Sequence, residues 1–316
     1  MTLLKFSIVT PSYNQGRYLA ATIESVLSQE GDFVLDYIIT DGGSTDDSVA
    51  IIKHYAAQLE AGSWPIRCQG ITYRWRSERD RGQTDAIRKG FAMATGGVLA
   101  WLNSDDTYTS GALARVASVF ADPAIQIAYG KSHFTDENGT VIGRYPTEPF
   151  DAERLAMFNF IAQPSVFFRK AAVDAVGGPQ IDLQYVMDFD LWIRMAQRFP
   201  FTYVPEFLST FRLHDESKTV SPTSALANYK EMLAIVSKHY GWSPLNRVYS
   251  YTRHLIEAKL PQLRDRELSL VAISLPLAAA NYVRLNRGVR LADLRLVTPS
   301  NLRKLFMTPI ELSKEY

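Results

Sequence analysis

Apolar residues fall along the first hundred positions in two alternating rhythms. "FSIVT" (6–10) is a short, β-branched run stopping at Pro11, and it reads as a strand. In "GRYLAATIESVLSQ" (16–29), Leu19, Ile23, Val26 and Leu27 recur at helical spacing and share one face. "LDYIIT" (35–40) is a second strand. "DGGSTDDS" follows, with Ser44 or Asp46 placed to cap a helix carrying Val49, Ile52, Ala56 and Leu59. "ITYRWRS" (71–77), "TDAIRKGFAMA" (84–94) and "VLAWL" (98–102) add strand, helix and strand, with Gly96-Gly97 ending the helix. Near-continuous apolar strands alternating with helices predict parallel β-α-β units.

Beyond Tyr108 the rhythm changes. "ALARVASVFAD" (112–122) predicts a helix and "IQIAYG" (125–130) a strand, while the Asn-Gly in "DENGTVIG" (136–143) predicts a hairpin. "QPSVFFRK" (163–170) reads as a strand leading into a short helix that stops at Gly177-Gly178. "DFDLWIRMAQRF" (188–199) is amphipathic through Leu191, Met195 and Phe199. "FTYVPEFLSTFRLH" (201–214) predicts two short strands broken at Pro205, and "ALANYKEMLAIVSKHYG" (225–241) a helix ending at Gly241. "LSLVAISLPLAAANYV" (268–283) then runs sixteen residues without a charge, interrupted by Pro276 and flanked by basic residues. It is short for a bilayer span, which leaves a buried helix or a membrane-interface helix.

Composition adds little to class and more to partners. With 316 residues, 47% hydrophobic and 21% charged, the chain has an ordinary globular composition. The single cysteine, Cys68, excludes an internal disulfide and fits a reducing compartment. The opening "MTLLKFSIVTPSYN" reads as a strand rather than a signal peptide. The net charge of +1 hides an asymmetry: residues 241–316 carry 12 Lys/Arg against 6 Asp/Glu, and residues 1–240 carry 22 against 27. A basic tail on an acidic body points to an anionic surface, lipid rather than nucleic acid, or else to a solvated arginine-rich face.

Ligands of open α/β sheets bind beyond the carboxyl ends of the strands. Those ends here are "TPSYNQ" (10–15), "TDGGSTD" (40–46), "SERDRGQ" (77–83) and "NSDD" (103–106); all are polar and three carry carboxylates. Adjacent side chains on an extended segment point to opposite sides, so Asp105 and Asp106 can serve two ends. A hard cation, Mg2+ or Mn2+, prefers such oxygens. A helix cap for "SGALARV" or a polar turn is the alternative at this point. Trp101 and Trp192 read as core.

In order, "TPSYNQ", "TDGGSTD", "DRGQTDAIRKGF" (80–91), "AWLNSDD" (100–106), "MDFDLWIRM" (187–195) and "FRLHDESKT" (211–219) resemble glycosyltransferase family 2, inverting enzymes of GT-A fold. The resemblance covers roughly residues 5–220. It implies an α/β domain over 1–240, with a mixed, mostly parallel sheet flanked by helices. Residues 1–108 would form its nucleotide-binding half and 109–240 its acceptor half, followed by a basic helical extension over 241–316. It also implies transfer of a sugar from a UDP-, dTDP- or GDP-sugar to a hydroxyl of a glycan or lipid-linked acceptor. By resemblance, Thr10, Pro11 and Tyr13 line the base, with Tyr13 stacking on it, and Asp41 hydrogen-bonds it. Asp80 and Gly82 lie near base and diphosphate, with Arg79 and Arg81 as neighbours. Asp105 contacts ribose or metal, Asp106 and His214 the Mn2+ or Mg2+, and Asp188 is the general base. Gln163 and Asp190 are expected toward the acceptor, Asp190 also as an alternative base. The chain departs from the family pattern with Met187 in place of a glutamate, Asn103 of an aspartate and Arg88 of an asparagine. Two other readings share the fold class: a nucleotide-sugar-binding subunit without chemistry, and a nucleotidyltransferase, which would want a Gly-rich basic signature where "TPSYNQGRY" has only Gly16 and Arg17. The expected location is cytoplasmic, at the inner face of the cell membrane.

Overall fold

The structure is a computed structural model and describes residues 3–214, 222–264, 266–294 and 298. The "DESKT" part of the sixth motif therefore lies outside the described residues, as does most of the chain beyond 294. The chain divides into two compact units, residues 1–150 with 160–212, and residues 151–159 with 213–316.

The first unit opens as the rhythm predicts: β1 (Leu4–Ser12), α1 (Gly16–Leu27), β2 (Phe33–Asp41), α2 (Ser48–Glu60), β3 (Ile71–Ser77), α3 (Gln83–Met93) and β4 (Val98–Trp101). A two-residue strand, β5 (Thr107–Tyr108), precedes α4 (Ala112–Phe120), β6 (Ile127–Thr135) and β7 (Val141–Arg144). The short α5 (Ala152–Met157) belongs to the second unit; β8 (Val166–Arg169), α6 (Lys170–Val176), α7 (Met187–Ala196) and β9 (Phe201–Arg212) complete the first. The strands form one sheet in the order β3-β2-β1-β4-β8-β6-β9-β5, with β7 on β6. β3, β2, β1 and β4 run parallel, while β8 pairs antiparallel with β4 and β6, so the sheet is mixed.

Period-two alternation sorts the side chains. Phe6 and Ile8 of β1 join Leu19 and Ile23 of α1, Leu35 of β2 and Phe167 of β8 in the main buried cluster. On the opposite face, Val9 meets α3 so closely that a Cβ on Gly90 would lie 2.3 Å from its Cγ1. There Trp101 stacks on Trp192 of α7, ring centroids 5.3 Å apart, so both tryptophans are core. Helices on both faces bury β1, β2 and β4 almost throughout, hence their near-continuous apolar runs, whereas the edge strand β3 is only partly covered.

Two local expectations are corrected. Asp46, beyond a simple cap, accepts N–H groups from Ser48 (3.0 Å) and Gly16 (2.8 Å), joining the starts of α2 and α1; Ser44 turns elsewhere. Pro205 does not break its segment. β9 is one strand parallel to β6, and pairing jumps from Gly130–Val204 to Lys131–Phe207, so Pro205 and Glu206 form a bulge where no ladder N–H is needed. Gly130 makes room for it: a Cβ there would lie 2.5 Å from Leu208.

The second unit is helical, with α5, α8 (Pro222–Tyr240), α9 (Leu245–Lys259), α10 (Glu267–Asn286) and α11 (Leu291–Leu294). Leu233, Val248 and Tyr282 form its small core. The Tyr240 hydroxyl donates to the Ala152 carbonyl and Asn246 Nδ2 to that of Met157, tying α8 and α9 to α5. α10 carries the charge-free run and stays helical through Pro276. Only 22% of its most apolar stretch is buried, which overturns the buried-helix alternative.

Candidate functional site

The carboxyl ends of the first three strands are level, Ser12 beside Asp41 and Asp41 beside Ser77. Thr10 is fully buried and shares a hydrogen bond with the Tyr37 hydroxyl, 3.0 Å; Pro11 is buried too. Both side chains are internal, although the segment they belong to ends at the open rim of the sheet. Tyr13, just past the strand, is 60% exposed. Asn14 takes a left-handed φ of 51° and laces two loops together: its N–H donates to Ser44 Oγ (2.8 Å) and its Oδ1 accepts from Thr45 N (2.8 Å).

Asp41 is buried, and its carboxylate is engaged by its own loops. Oδ2 accepts from Gly43 N, Ser44 N and Ser77 Oγ, and Oδ1 from the Ser44 hydroxyl. It shapes the turn. Asp80 is drawn against this turn, since a Cβ on Gly42 would lie 2.8 Å from its Oδ2. Asp80 Oδ1 in turn accepts the N–H of Gly82, whose φ of 112° suits glycine. Structure thus brings Asp41, Asp80 and Gly82 together, with the two carboxylates setting backbone shape.

Asp105 and Asp106 point to different environments. Asp106 is buried; its Oδ1 accepts the Arg212 N–H (3.0 Å) and its Oδ2 faces Asn103 Nδ2 (3.4 Å). Burial, and then the neighbouring Asp105 charge, push its carboxyl well above the usual range, against the opposing pull of Arg212 and Asn103. Asp105 is the half-buried member of the pair. Arg212 braces both, donating from Nε to the Asp105 carbonyl (2.8 Å) and from a terminal nitrogen to that of Glu137 (2.9 Å), while its guanidinium lies 4.9 Å from the Tyr18 ring centre. From below, the Thr22 hydroxyl donates to the carbonyls of Ser104 (2.9 Å) and Asp106 (2.8 Å).

Asn103 is the hub of this loop. Its Oδ1 accepts from Gln83 Nε2 (2.8 Å), and its Nδ2 donates to Gln163 Oε1 (3.0 Å). Gln163 Nε2 donates onward to the Trp101 carbonyl (2.8 Å). An aspartate at 103 accepts but does not donate, so the amide here is what closes the chain of bonds. Gln163 is buried within it, an internal strut rather than the expected acceptor contact. Sequence reasoning missed Thr22, Gln83 and Arg212; the last stood inside the quoted "FRLHDESKT", two residues before the histidine that drew attention.

Two further expected site residues lie on α7. Asp188 is half-buried in its first turn. Asp190 is fully buried and ion-paired with Arg194 (2.7 Å), which also donates to the carbonyls of Val176 (2.6 Å) and Gly178 (2.8 Å). It anchors the helix, against the expectation that it faces an acceptor. The entry to α7 is tied to α3, because the Thr84 hydroxyl donates to the Leu183 carbonyl (3.0 Å) and Arg88 to those of Gly177 and Pro179. Arg88 is thus a strap between elements. Thr84 adjoins Gln83, the partner of Asn103, so the chain entering α7 and the Asp105 loop are held by one helix start. His214 lies buried two residues past β9, in the second unit.

Among the described residues, no three His, Cys, Asp or Glu side chains gather around one point. A pair of carboxylates with room for phosphate and water is nonetheless what Mg2+ or Mn2+ takes in nucleotide sites. Of the two adjacent carboxylates, the half-buried Asp105 is the hard-oxygen group that would hold such a cation, with the buried Asp106 behind it.

The chain matches Glycosyl transferase family 2 over residues 7–175. It is 30% identical over 192 residues to a PGL/p-HBAD biosynthesis glycosyltransferase of Mycobacterium bovis (strain BCG / Pasteur 1173P2), spanning 60% of this chain and 68% of that protein. Among solved structures, residues 1–349 of S. aureus TarS in complex with UDP-GlcNAc align over 89% of this chain and 81% of their own, with TM-score 0.57 and 12% identity. Mannosyltransferase PcManGT from Pyrobaculum calidifontis, in complex with GDP-Man and Mn2+, aligns over 98% and 83%, with TM-score 0.58 and 14% identity. At those identities the two structures speak for the fold alone, a GT-A type. The family match spans more than half of the chain and holds the strand-end motifs from "TPSYNQ" to "NSDD", so this protein belongs to glycosyl transferase family 2 and is a glycosyltransferase.

Proposed function

We propose that the enzyme moves a sugar from a nucleoside-diphosphate sugar to a hydroxyl of a glycan or lipid-linked acceptor in a single inverting displacement, with Asp188 as general base. The observation that carries this reading is the half-buried Asp188 in the first turn of a helix whose entry is strapped to the same α3 start that holds Asn103. Tyr13, exposed beyond β1, offers a flat face to the base. Asp41 and Asp80 keep the backbone turns beside it in shape. Asp188 takes the proton of the incoming hydroxyl. Asp190 and Arg194 hold that helix so the carboxylate keeps its aim. Between the two acidic neighbours, the half-buried Asp105 is the better candidate to reach a Mn2+ or Mg2+, with Asp106 as its inner support. The cation would supply positive charge against the departing diphosphate. Nucleotide-sugar use is supported by the complexes of the two neighbouring structures, one with UDP-GlcNAc and one with GDP-Man.

The test separates base from binding. Asp188→Asn is expected to lower kcat by about 10²–10⁴ while leaving nucleoside-diphosphate affinity, read by calorimetry with Mn2+, unchanged. Asp105→Ala is expected to weaken that Mn2+-dependent affinity. A fully active Asp188→Asn enzyme would put the base elsewhere, and a product retaining the donor's anomeric configuration by NMR would end the single-displacement reading.

A further inference from the structure

Thirteen large apolar side chains are exposed among the described residues, and six of them, Leu268, Ile273, Leu275, Leu277, Val283 and Leu285, lie on α10. Val289 and Leu291 follow just beyond it. The helix buries only a narrow stripe, Leu270, Ser274, Ala278 and Tyr282, each four residues from the last. That stripe packs on α9, where Asn281 Nδ2 also donates to Thr252 Oγ1 (3.3 Å). Two of its four members are small, so the contact is thin and most of the helix girth faces outward. No charge interrupts residues 268–283. A surface helix of a soluble domain ordinarily turns a polar face to water; this one does not.

Exposed arginines stand at both of its ends. Arg264 and Arg266 are exposed before the helix, and Arg284, Arg287 and Arg290 at and after its last turn. Among the described residues, the acids at these ends are otherwise occupied. Glu267 is held by Arg253 through two hydrogen bonds, 2.7 and 2.8 Å. Asp293 is buried and accepts the Tyr282 hydroxyl. Asp265 lies outside the described residues.

From this distribution we infer that α10 is a membrane-docking helix that lies in the interface of an anionic lipid bilayer. Apolar side chains in the middle enter the acyl boundary, and arginines at both ends meet lipid phosphates. A second copy of the chain fits less well. With both ends basic, parallel and antiparallel pairing alike would set arginine against arginine. With 20 residues α10 is long and apolar enough to cross a bilayer, against the expectation that its charge-free run is short for one; a span nonetheless fits less well, because α9 runs along α10 and crossing would carry the Arg253–Glu257 ion pair toward hydrocarbon. The docking does not depend on the base or metal assignments above.

The experiment is flotation of the full chain with phosphatidylcholine vesicles, alone or with about 30% phosphatidylglycerol. The expected result is flotation with the anionic vesicles and a much smaller fraction with the neutral ones. The variant Leu275→Gln/Leu277→Gln/Val283→Gln alters only exposed side chains, so its thermal unfolding should match the parent while its partitioning falls at least about tenfold. Arg266→Gln/Arg284→Gln/Arg287→Gln should keep the residual neutral-vesicle binding and lose the anionic preference. The inference is overturned if the parent does not float, if the folded Leu/Val variant floats equally well, or if neutral and anionic vesicles bind alike. It is likewise overturned if light scattering shows a dimer in solution that the Leu/Val variant dissociates and that does not bind vesicles.

Discussion

Leu35 and Leu275 are the same side chain in opposite surroundings. Leu35, in β2 between β1 and β3, is wholly buried; Leu275, on α10, is 46% exposed. In the first unit the sheet offers two faces and helices cover both, so an apolar residue on either side of a strand finds a partner. In the second unit α10 packs mainly on α9 along a stripe four residues apart, and the apolar side chains off that stripe are left over. What decides burial is how much surface the rest of the fold can bring, more than the hydrophobicity of the segment. The converse holds for polar groups. The first unit buries carboxylates at Asp36, Asp41, Asp106 and Asp190 and supplies donors to each, whereas the large apolar surplus of the second unit is fenced by exposed arginines.

The strongest way to break this comparison is at Asp36, in the middle of β2 beside Leu35. Its Oδ2 accepts from Ser7 Oγ (2.6 Å) and from the Thr95 N–H and hydroxyl (both 2.9 Å), and its Oδ1 from Arg74. Those bonds lock the turn between α3 and β4, where Gly96 approaches β1 so closely that a Cβ would lie 2.6 Å from Ser7 N. Asp36→Ala is expected to cost about 3–5 kcal/mol, because it strands a guanidinium and three donors, read as a drop in the urea midpoint. Burial alone would raise the Asp36 pKa, but the hydrogen bonds from Ser7, Arg74 and Thr95 outweigh it and hold the carboxyl below its ordinary value. A lowered folded-state pKa gives stability that is complete above the ordinary aspartate range and lost as pH falls through the folded value. The parent should therefore lose part of its advantage over Asp36→Ala on acidification below about pH 4, and an unchanged gap would remove the electrostatic account.

That residue also marks where the sequence stopped being legible. The four parallel strands, the helices between them and the polar strand ends follow from alternation and spacing, since each is a local property. Asp36 is the second residue of "LDYIIT" and reads simply as part of a strand, because nothing nearby in the sequence announces that Ser7, Arg74 and Thr95 converge on it. The strand-end residues split the same way. Their location was readable, but which of them turn inward was not. Asp41, Asp106, Gln163 and Asp190 are all consumed by partners 2 to 106 positions away in the chain. The bulge at Pro205 was hidden for a related reason: it depends on Gly130 in another strand.

A smaller effect is expected at Asn103, which joins the rim of the sheet to Gln83 at the start of α3 and to Gln163. Asn103→Leu removes the acceptor for Gln83 Nε2 and the donor to Gln163 Oε1. Leaving such groups without those bonds costs about 1–3 kcal/mol, measurable by thermal unfolding. Because Asp105 follows two residues later, Mn2+-dependent nucleotide affinity should weaken alongside. If stability falls and affinity does not, the Asn103 network supports the fold without positioning the acidic loop.

The smallest effect is the one that tests the comparison at its other end. Truncating a buried leucine to alanine costs about 2–5 kcal/mol, because the lost methylenes leave a cavity. At Leu275 no cavity forms. The side chain stands on the outward side of α10, away from Leu270, Ser274, Ala278 and Tyr282, and alanine is the better helix former of the two. Leu275→Ala should therefore shift unfolding in solution by no more than about 0.5 kcal/mol in either direction, by urea titration without lipid. In the presence of anionic vesicles the same substitution should become visible as weaker binding, since the missing methylenes then leave hydrocarbon rather than water. A loss of several kcal/mol in plain buffer would mean that Leu275 is covered in solution after all, and the contrast with Leu35 would vanish.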